Sequence, residues 1–297
     1  MYDGSAWAAM DGNYNAENVY FDEDLMTTSA IGNISLTNGQ ATIAATGKNL
    51  KEVFQTIFVK ESNPSVTQPS VAVTLSGAGA KEVGTKVTPT YTASLNAGSY
   101  QYGPATGITA SGWEISDTAG NTATTASGSF AEIQIADGTS YKVTAKATYG
   151  AGAMPKTNIG NEYKAGQIVA GNKSGTSGAF TGYRNTFYGT KTSTEGELNS
   201  AYVRGLTASN GAWVAGKSFT IDIPAGAMRV VFAYPATVRD VNSVKDVNGL
   251  NAEVKSAFVK STVSVEGANG YTGIDYKVYV CDFAEAVAAA NKYTVTL

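Results

Sequence analysis

The sequence predicts a mainly β protein: two β-sandwich-like domains, preceded by a small N-terminal module with one short helix. Three observations carry this expectation. Runs of alternating apolar and polar residues recur at spacings of about ten residues, with Gly, Asn, Asp or Pro between them, which is the pattern of strands joined by turns. The 297 residues include 33 Gly and 17 Tyr; Gly serves turns that need positive φ, and Tyr favours half-buried strands. Charged residues make up only 15%, against roughly 25% in an average soluble domain, so the surface relies on hydroxyls and amides more than on ion pairs.

Residues 1–63 read as an N-terminal attachment or oligomerisation module. Tyr2–Trp7 and Val19–Phe21 carry short β signals, with Asp11-Gly12 as a turn between them. The acidic run Asp22-Glu23-Asp24 reads as a solvated turn or helix start, because the Gly and terminal Glu of a calcium loop are missing. Ile31–Leu36 and Ala41–Ala45 are expected to join through Asn38-Gly39, the strongest short hairpin signal. Leu50, Val53, Phe54, Ile57 and Phe58 then fall on one apolar helix face, with Asn49 as its N-cap. That face would cover the small sheet or lie in a subunit interface; the spacing does not separate the two.

Residues 64–150 read as the first sandwich. The polar run from Asn63-Pro64 to Gln68-Pro69 is a linker or first edge. Val71–Leu75 is a strand, Gly77–Gly79 a turn, and Val83–Leu95 a long strand interrupted at Pro89, which cannot donate to a ladder. Residues 96–107 form a loop bearing Tyr100 and Tyr102. Strands follow at Gly112–Ser116, Thr122–Ser127 and Phe130–Ile135, and then from Asp137 to Ala147. This last stretch resembles the sixth strand of an immunoglobulin-type sandwich. There an Asp opens the corner, a Tyr two residues before the core position locks it, and the core position is often Cys. Tyr141 and Val143 occupy those two places here, and Trp113 falls where a core tryptophan packs. The resemblance implies an immunoglobulin-like β-sandwich with Trp113, Tyr141 and Val143 in its core and no disulfide.

Residues 151–180 read as a Gly/Asn/Ser-rich connection, ordered but irregular, since Ile159, Tyr163, Ile168 and Phe180 recur within it. Residues 181–297 form the C-terminal β domain. A short helix is expected at Glu197–Leu206. Strands follow at Ser218–Ile223, Met228–Tyr234, Val241–Val247, Ser261–Glu266, Asp275–Cys281 and Lys292–Thr296. The segment from Asp282 to Ala290 is a helical turn or an extended loop.

Several function classes are excluded at this level. The net charge of −3 argues against a phosphate-tracking surface, so no nucleic-acid partner is expected. With no His and one Cys, Ser-His-Asp and Cys-His catalysis, His-ligated zinc and an internal disulfide are ruled out. Cys281, inside Tyr279-Val280-Cys281, reads as a small buried hydrophobe. Glu114, Asp117, Glu132, Asp222, Asp240, Asp246, Glu266, Asp275, Asp282 and Glu285 are scattered, without the paired placement glycosidase chemistry needs. Gly267-Ala268-Asn269-Gly270 lacks the Lys and Ser or Thr of a phosphate loop. No catalytic residue, cofactor or metal site is expected, and the chain reads as a non-enzyme.

No stretch approaches the roughly 20 apolar residues of a membrane helix. Met1–Trp7 has neither the basic nor the apolar region of a secretory signal. Tyr100, Tyr102, Tyr183, Tyr188, Trp213 and Tyr271 sit in Gly/Asn/Ser-rich loops and are the candidate ligand or subunit contacts. Sugar stacking and packing against a neighbouring domain or subunit explain them equally well.

The stretches Trp7 to Phe21, Gly47 to Phe54, Tyr102 to Gly107, Val265 to Thr272 and Tyr276 to Val280 together resemble virion proteins of tailed phages that infect gut bacteria. The resemblance implies a non-enzymatic virion component, a fibre, tail or head decoration protein, assembled in the host cytoplasm. Its partners would be other virion proteins and copies of itself in a closed symmetric oligomer, often a trimer. It would act by assembly and weak multivalent binding to the host surface, with a surface glycan as the candidate receptor. No binding residues carry over from the family. The alternatives are a bacterial surface adhesin or glycan-binding module, and after that a glycan depolymerase.

Overall fold

The computed structural model describes residue 17 and residues 19–104, 106–209 and 218–297. The chain is mainly β and divides into two compact units. One holds residues 1–70, 95–111 and 148–173; the other holds 71–94, 112–147 and 174–297. The β signals at Tyr2–Trp7 and the turn at Asp11-Gly12 lie outside the described residues.

In the first unit, Asn49 starts helix α1 (Leu50–Phe58). Its Oδ1 accepts the Glu52 N–H at 2.9 Å, and Glu52 Oε2 accepts the Asn49 N–H at 2.8 Å. This reciprocal box satisfies two of the helix's orphan donors. Val53 and Ile57 are buried with Ile43 and Ala45, with Phe21, Leu25 and Ile34 packed around them. Asp24 accepts from the Ala45 and Thr46 N–H groups and from Thr46 Oγ1, so the acidic run closes a turn.

The expected hairpin partner differs. Asn38-Gly39 does turn, at φ of 53° and 80°, but it closes only on Thr37 and Gln40. Ala41–Ile43 pairs with Leu25–Thr27 instead of Ile31–Leu36. The reason is local. Ile31 and Ile34 bond each other across Gly32, whose positive φ and close approach to the Ile57 carbonyl leave no extended run there to pair.

The expected linker likewise holds a strand, Val66–Thr67, paired with Ser99–Tyr100.

The second unit contains the larger part of one sandwich and the whole of another. In the first, one sheet has the order Ser127–Ser129, Thr90–Asn96, Ser70–Leu75. The facing sheet runs Thr122–Ala123, Ala110–Asp117, Val143–Tyr149, Gly171–Thr176. Leu75, Tyr91, Ala93, Ile115, Val143 and Ala145 fill the space between them. Pro89 splits the long expected strand into Lys86–Val87 and Thr90–Asn96. Tyr141 and Val143 are buried as expected, whereas Trp113 is only partly buried at the margin of the cluster. Ile115, on the same side of that strand, takes the central place and is 2% exposed.

The expected connection at 151–180 contains the last strand of the four-stranded sheet, Gly171–Thr176. Phe180–Tyr183 then inserts between Ser140–Tyr141 and Gly79–Glu82, so the first sandwich continues to Tyr183 and not to 150. Its glycines serve close packing: a Cβ on Gly175 would sit 2.2 Å from the Val71 carbonyl oxygen. Ser177 Oγ accepts the buried Val143 N–H at 3.0 Å.

In the second sandwich, one sheet has the order Thr207–Ser209, Thr186–Lys191, Arg229–Pro235, Ile274–Asp282, Val259–Val265. The other has Ser218–Ile223, Asn291–Thr296, Ser243–Asp246, Ala252–Glu253. Arg229–Pro235 is buried on both faces, which explains its almost unbroken apolar run. Val230, Phe232 and Tyr234 meet Ile221, Val244, Tyr279 and Val295 between the sheets. Val231 and Ala233 point the other way, against Phe187, Val203, Leu206 and Val278. Helix α2 (Ser200–Arg204), capped by Asn199, brings Val203 to that side and is shorter than the predicted 197–206. The segment after Asp282 is an extended loop tied down by Val287 to Ala227 and Gly226. Cys281 is buried, which pushes its thiol pKa up, with the Asp282 charge adding to the effect.

Candidate functional site

A set of polar contacts between distant parts of the second unit lies where its two sandwiches join. Phe180–Tyr183 ends in the first sandwich and Thr186–Lys191 begins the second, leaving only Arg184 and Asn185 between them. Asn185 is buried at 7% exposure, and Arg184 is partly buried, with only 7% of its side chain exposed. A joint of two residues with their side chains packed away from solvent has little freedom to bend.

Arg184 is clamped from several sides. Its Nε donates to Asp137 Oδ2 at 2.9 Å, its Nη2 donates to the Thr272 carbonyl at 2.9 Å, and the guanidinium lies 5.4 Å over the Tyr271 ring. The Tyr271 hydroxyl accepts the Asp137 N–H at 3.3 Å. A second arginine repeats the arrangement. Arg204 Nη1 donates to Glu82 Oε1 at 2.6 Å and to the Glu266 carbonyl at 2.8 Å, with Phe187 below its guanidinium. Arginine suits both places because its planar fork bonds two acceptors while its face stacks on a ring.

The backbones approach closely as well. The Ala268 N–H donates to the Val83 carbonyl at 2.8 Å, and Asn269 Nδ2 donates to the Gly84 carbonyl at 2.9 Å. Gly84 has φ +86°, and a Cβ there would lie 2.0 Å from the Ala268 oxygen. Only glycine fits. The buried Tyr276 hydroxyl donates to the Asn185 carbonyl at 2.9 Å.

Beside the joint lies an open cleft of about 780 Å³, whose lining includes Asp137, Tyr183, Arg184, Pro235, Val238 and Asp275. It combines an apolar wall with carboxylates. The Tyr183 phenol has a raised pKa, first from burial and then from the Glu82 charge.

The six expected contact residues are placed as follows. Tyr183 and Tyr271 come to the joint. Tyr188 packs on Phe219 with ring centroids 5.4 Å apart, against the second sandwich's core. Tyr102 is partly buried, and its hydroxyl accepts Gln101 Nε2 at 3.0 Å. Tyr100 is buried with Ile108, Tyr149 and Ile168, and its hydroxyl accepts the Ile168 N–H at 2.9 Å, so it is a core residue and not a surface platform. Trp213 lies outside the described residues. Sequence reasoning missed Arg184, Asp137, Arg204 and Glu82. The signal available was Gly182-Tyr183-Arg184-Asn185, a charge set between two β runs behind a glycine.

The scattered carboxylates are mostly engaged. Asp117 accepts from Tyr141 and Asn121, Asp282 pairs with Arg229, Glu114 with Lys146, and Glu132 with Lys86. Asp240 sits between Lys260 and Lys277, and their bonds, Lys260 first, lower its pKa to about 2. Among the described residues no group of three or more His, Cys, Asp or Glu is arranged to hold a metal ion. No helix among them is long and apolar enough to cross a membrane. Compared with protein-family models, curated proteins and solved structures, the chain matches none.

Proposed function

We propose that this chain is a structural protein of a phage virion, a fibre, tail or head decoration component, in which the two sandwiches act together as one stiff spacer. The observation that carries the reading is the joint: a two-residue connection with packed side chains, two clamped arginines and a glycine contact that tolerates no side chain. A part that must hold two surfaces at fixed separation needs such a joint, whereas a hinged binding protein or a mobile-domain enzyme does not.

The first sandwich is read as immunoglobulin-like. Its orders, Ser127–Ser129 beside Thr90–Asn96 beside Ser70–Leu75 and Ala110–Asp117 beside Val143–Tyr149 beside Gly171–Thr176, correspond to the E-B-A and C-F-G arrangements of that fold. Tyr141 lies two residues before Val143, which opens the strand equivalent to F. The chain's action would be assembly, with weak contacts to the host surface strengthened by many copies.

Mass spectrometry of purified particles, together with imaging of particles carrying an antibody to this chain, tests the reading. Stoichiometric, salt-resistant presence on the particle is expected. Particles without the chain, prepared from cells that contain it, would overturn it.

A second reading, a glycan-binding module, draws on the cleft beside Arg184, where Pro235 and Val238 offer a face and Asp137 and Asp275 offer acceptors. Binding to a glycan array that is lost on substituting Asp275 would favour it.

A further inference from the structure

Of the twelve large hydrophobic side chains exposed among the described residues, eight lie between Val19 and Val59. Surface hydrophobics scattered singly need no explanation, but a contiguous apolar patch marks a contact surface. The helix α1 shows how it arises. Its inner side, Val53 and Ile57, is buried. Its outer side is not: Phe54 and Phe58 are 49% and 66% exposed, with ring centroids 6.0 Å apart. Val59, the C-cap residue, is 39% exposed. Val19 and Tyr20 run beside the helix start, where the Leu50 N–H donates to the Val19 carbonyl at 2.8 Å and Tyr20 bridges Asn49. They are 36% and 64% exposed.

The charges on this helix are already engaged. Lys51 pairs with Glu17, and the Glu52 carboxylate holds the Asn49 N–H. Phe54, Gln55 and Phe58 therefore present a surface without a free charge. This matters for the identity of the partner. An interface formed by the same patch on two copies brings identical residues together, so a charged patch would oppose itself and an uncharged aromatic one does not.

Area sets the strength. Large aromatic side chains cover about 150–250 Å² each, so half-exposed Phe54, Phe58 and Tyr20 with their aliphatic neighbours offer on the order of 400 Å² per copy. That is about half the roughly 800 Å² per partner of a standard stable interface, which makes the contact weak in the isolated chain and effective only when copies are held close.

We propose that this face docks a second copy of the chain, helix α1 packing on helix α1 with Phe54 and Phe58 interleaved. The inference rests on the self-assembly part of the reading above and gives it an address.

Sedimentation equilibrium of the full chain across a wide concentration range is the test. The wild type should associate reversibly, and Phe54→Ser with Phe58→Ser should weaken association at least tenfold with an unchanged thermal melt. Phe54→Leu with Phe58→Leu should retain association. In Gln55→Cys, oxidation should link two copies, the native Cys281 being buried. A wild type that stays monomeric throughout overturns the proposal, whether a different protein or residues 1–16 of the same chain cover the face. So does an oligomer indifferent to the Ser variants. The virion reading is scored separately: a monomeric chain found on particles sinks only this inference, and an associating chain absent from particles sinks only the virion reading.

Discussion

The Tyr141 hydroxyl donates a 2.7 Å hydrogen bond to Asp117 Oδ2, tying a residue just before the strand Val143–Tyr149 to the end of the neighbouring strand Ala110–Asp117. Asp117 also receives the Asn121 N–H at 2.7 Å and the Asn121 side-chain amide at 2.8 Å. Burial would raise this carboxyl, but the bonds from Asn121, Tyr141 and the Ala119 N–H outweigh it and leave the pKa below its ordinary 3.8. Tyr141→Phe should cost about 1.5–3 kcal/mol, the range for a hydrogen bond to a charged group, read from urea unfolding of the full chain. The lowered pKa means that the Asp117 contribution is present above pH 3.8 and is lost as pH falls through the folded value. Because Tyr141→Phe removes one of the bonds that lower it, the acid unfolding midpoint of the variant should move to higher pH.

At alkaline pH the tyrosines decide. Burial raises Tyr141, Tyr234, Tyr276 and Tyr293 above the ordinary 10.0, with Tyr293 at about 12. A raised pKa keeps its stabilisation below the unfolded value and loses it as pH climbs toward the folded one. Stability should therefore hold up to about pH 10 and fall steeply above it. Phenolate absorbance should rise together with unfolding for these residues. Their ionisation in a chain that stays folded would contradict the burial described above.

The joint makes a sharper demand. Gly84→Ala would place its Cβ 2.0 Å from the Ala268 oxygen, whereas Gly120→Ala, at the similar φ of +89°, meets nothing within 4 Å. Both carry backbone strain of about 1–2 kcal/mol. Gly84→Ala should add about 1–3 kcal/mol of overpacking and broaden the distribution of interdomain distances seen by X-ray scattering in solution. Equal effects of the two variants would mean that the contact does not hold the joint.

Core substitutions separate the centre of the first sandwich from its margin. Ile115→Ala should cost about 2–5 kcal/mol, the usual range for a buried Ile. Trp113→Ala, despite removing more atoms, should cost less, because Trp113 is only partly buried. Thermal unfolding of the two variants side by side gives the order, and the reverse order would restore Trp113 to the core.

What could be read in advance follows a physical line. Helix α1 and Asn49 were legible because capping and helical periodicity are local, and six strands of the C-terminal sandwich were legible because short apolar or alternating runs are local, whereas Thr186–Lys191 carries no such run and was not expected. Pairing is not. Nothing in Ala41–Ile43 names Leu25–Thr27 as its partner, and the glycines of 171–183 look the same whether they serve slack or close packing. Tyr100 was misjudged for a related reason, since a tyrosine in a loop-like stretch gives no hint that its hydroxyl answers a backbone N–H at Ile168. Arg184 escaped notice because one charge between two β runs is ordinary until both neighbours are in place.

The strand Phe180–Tyr183 has a consequence for how the protein is made. It lies between Ser140–Tyr141 and Gly79–Glu82, and Phe180 belongs to the first sandwich's core. On a ribosome that core stays incomplete until Phe180 has emerged, long after Gly79 has. The second sandwich waits in the same way, because Ser218–Ile223 pairs with Asn291–Thr296. Until then the run from Val230 to Tyr234 has no cover on one side. Nascent chains crowded on one message would be at their stickiest in that interval, so slow translation or chaperone supply late in the message should govern the yield of folded protein.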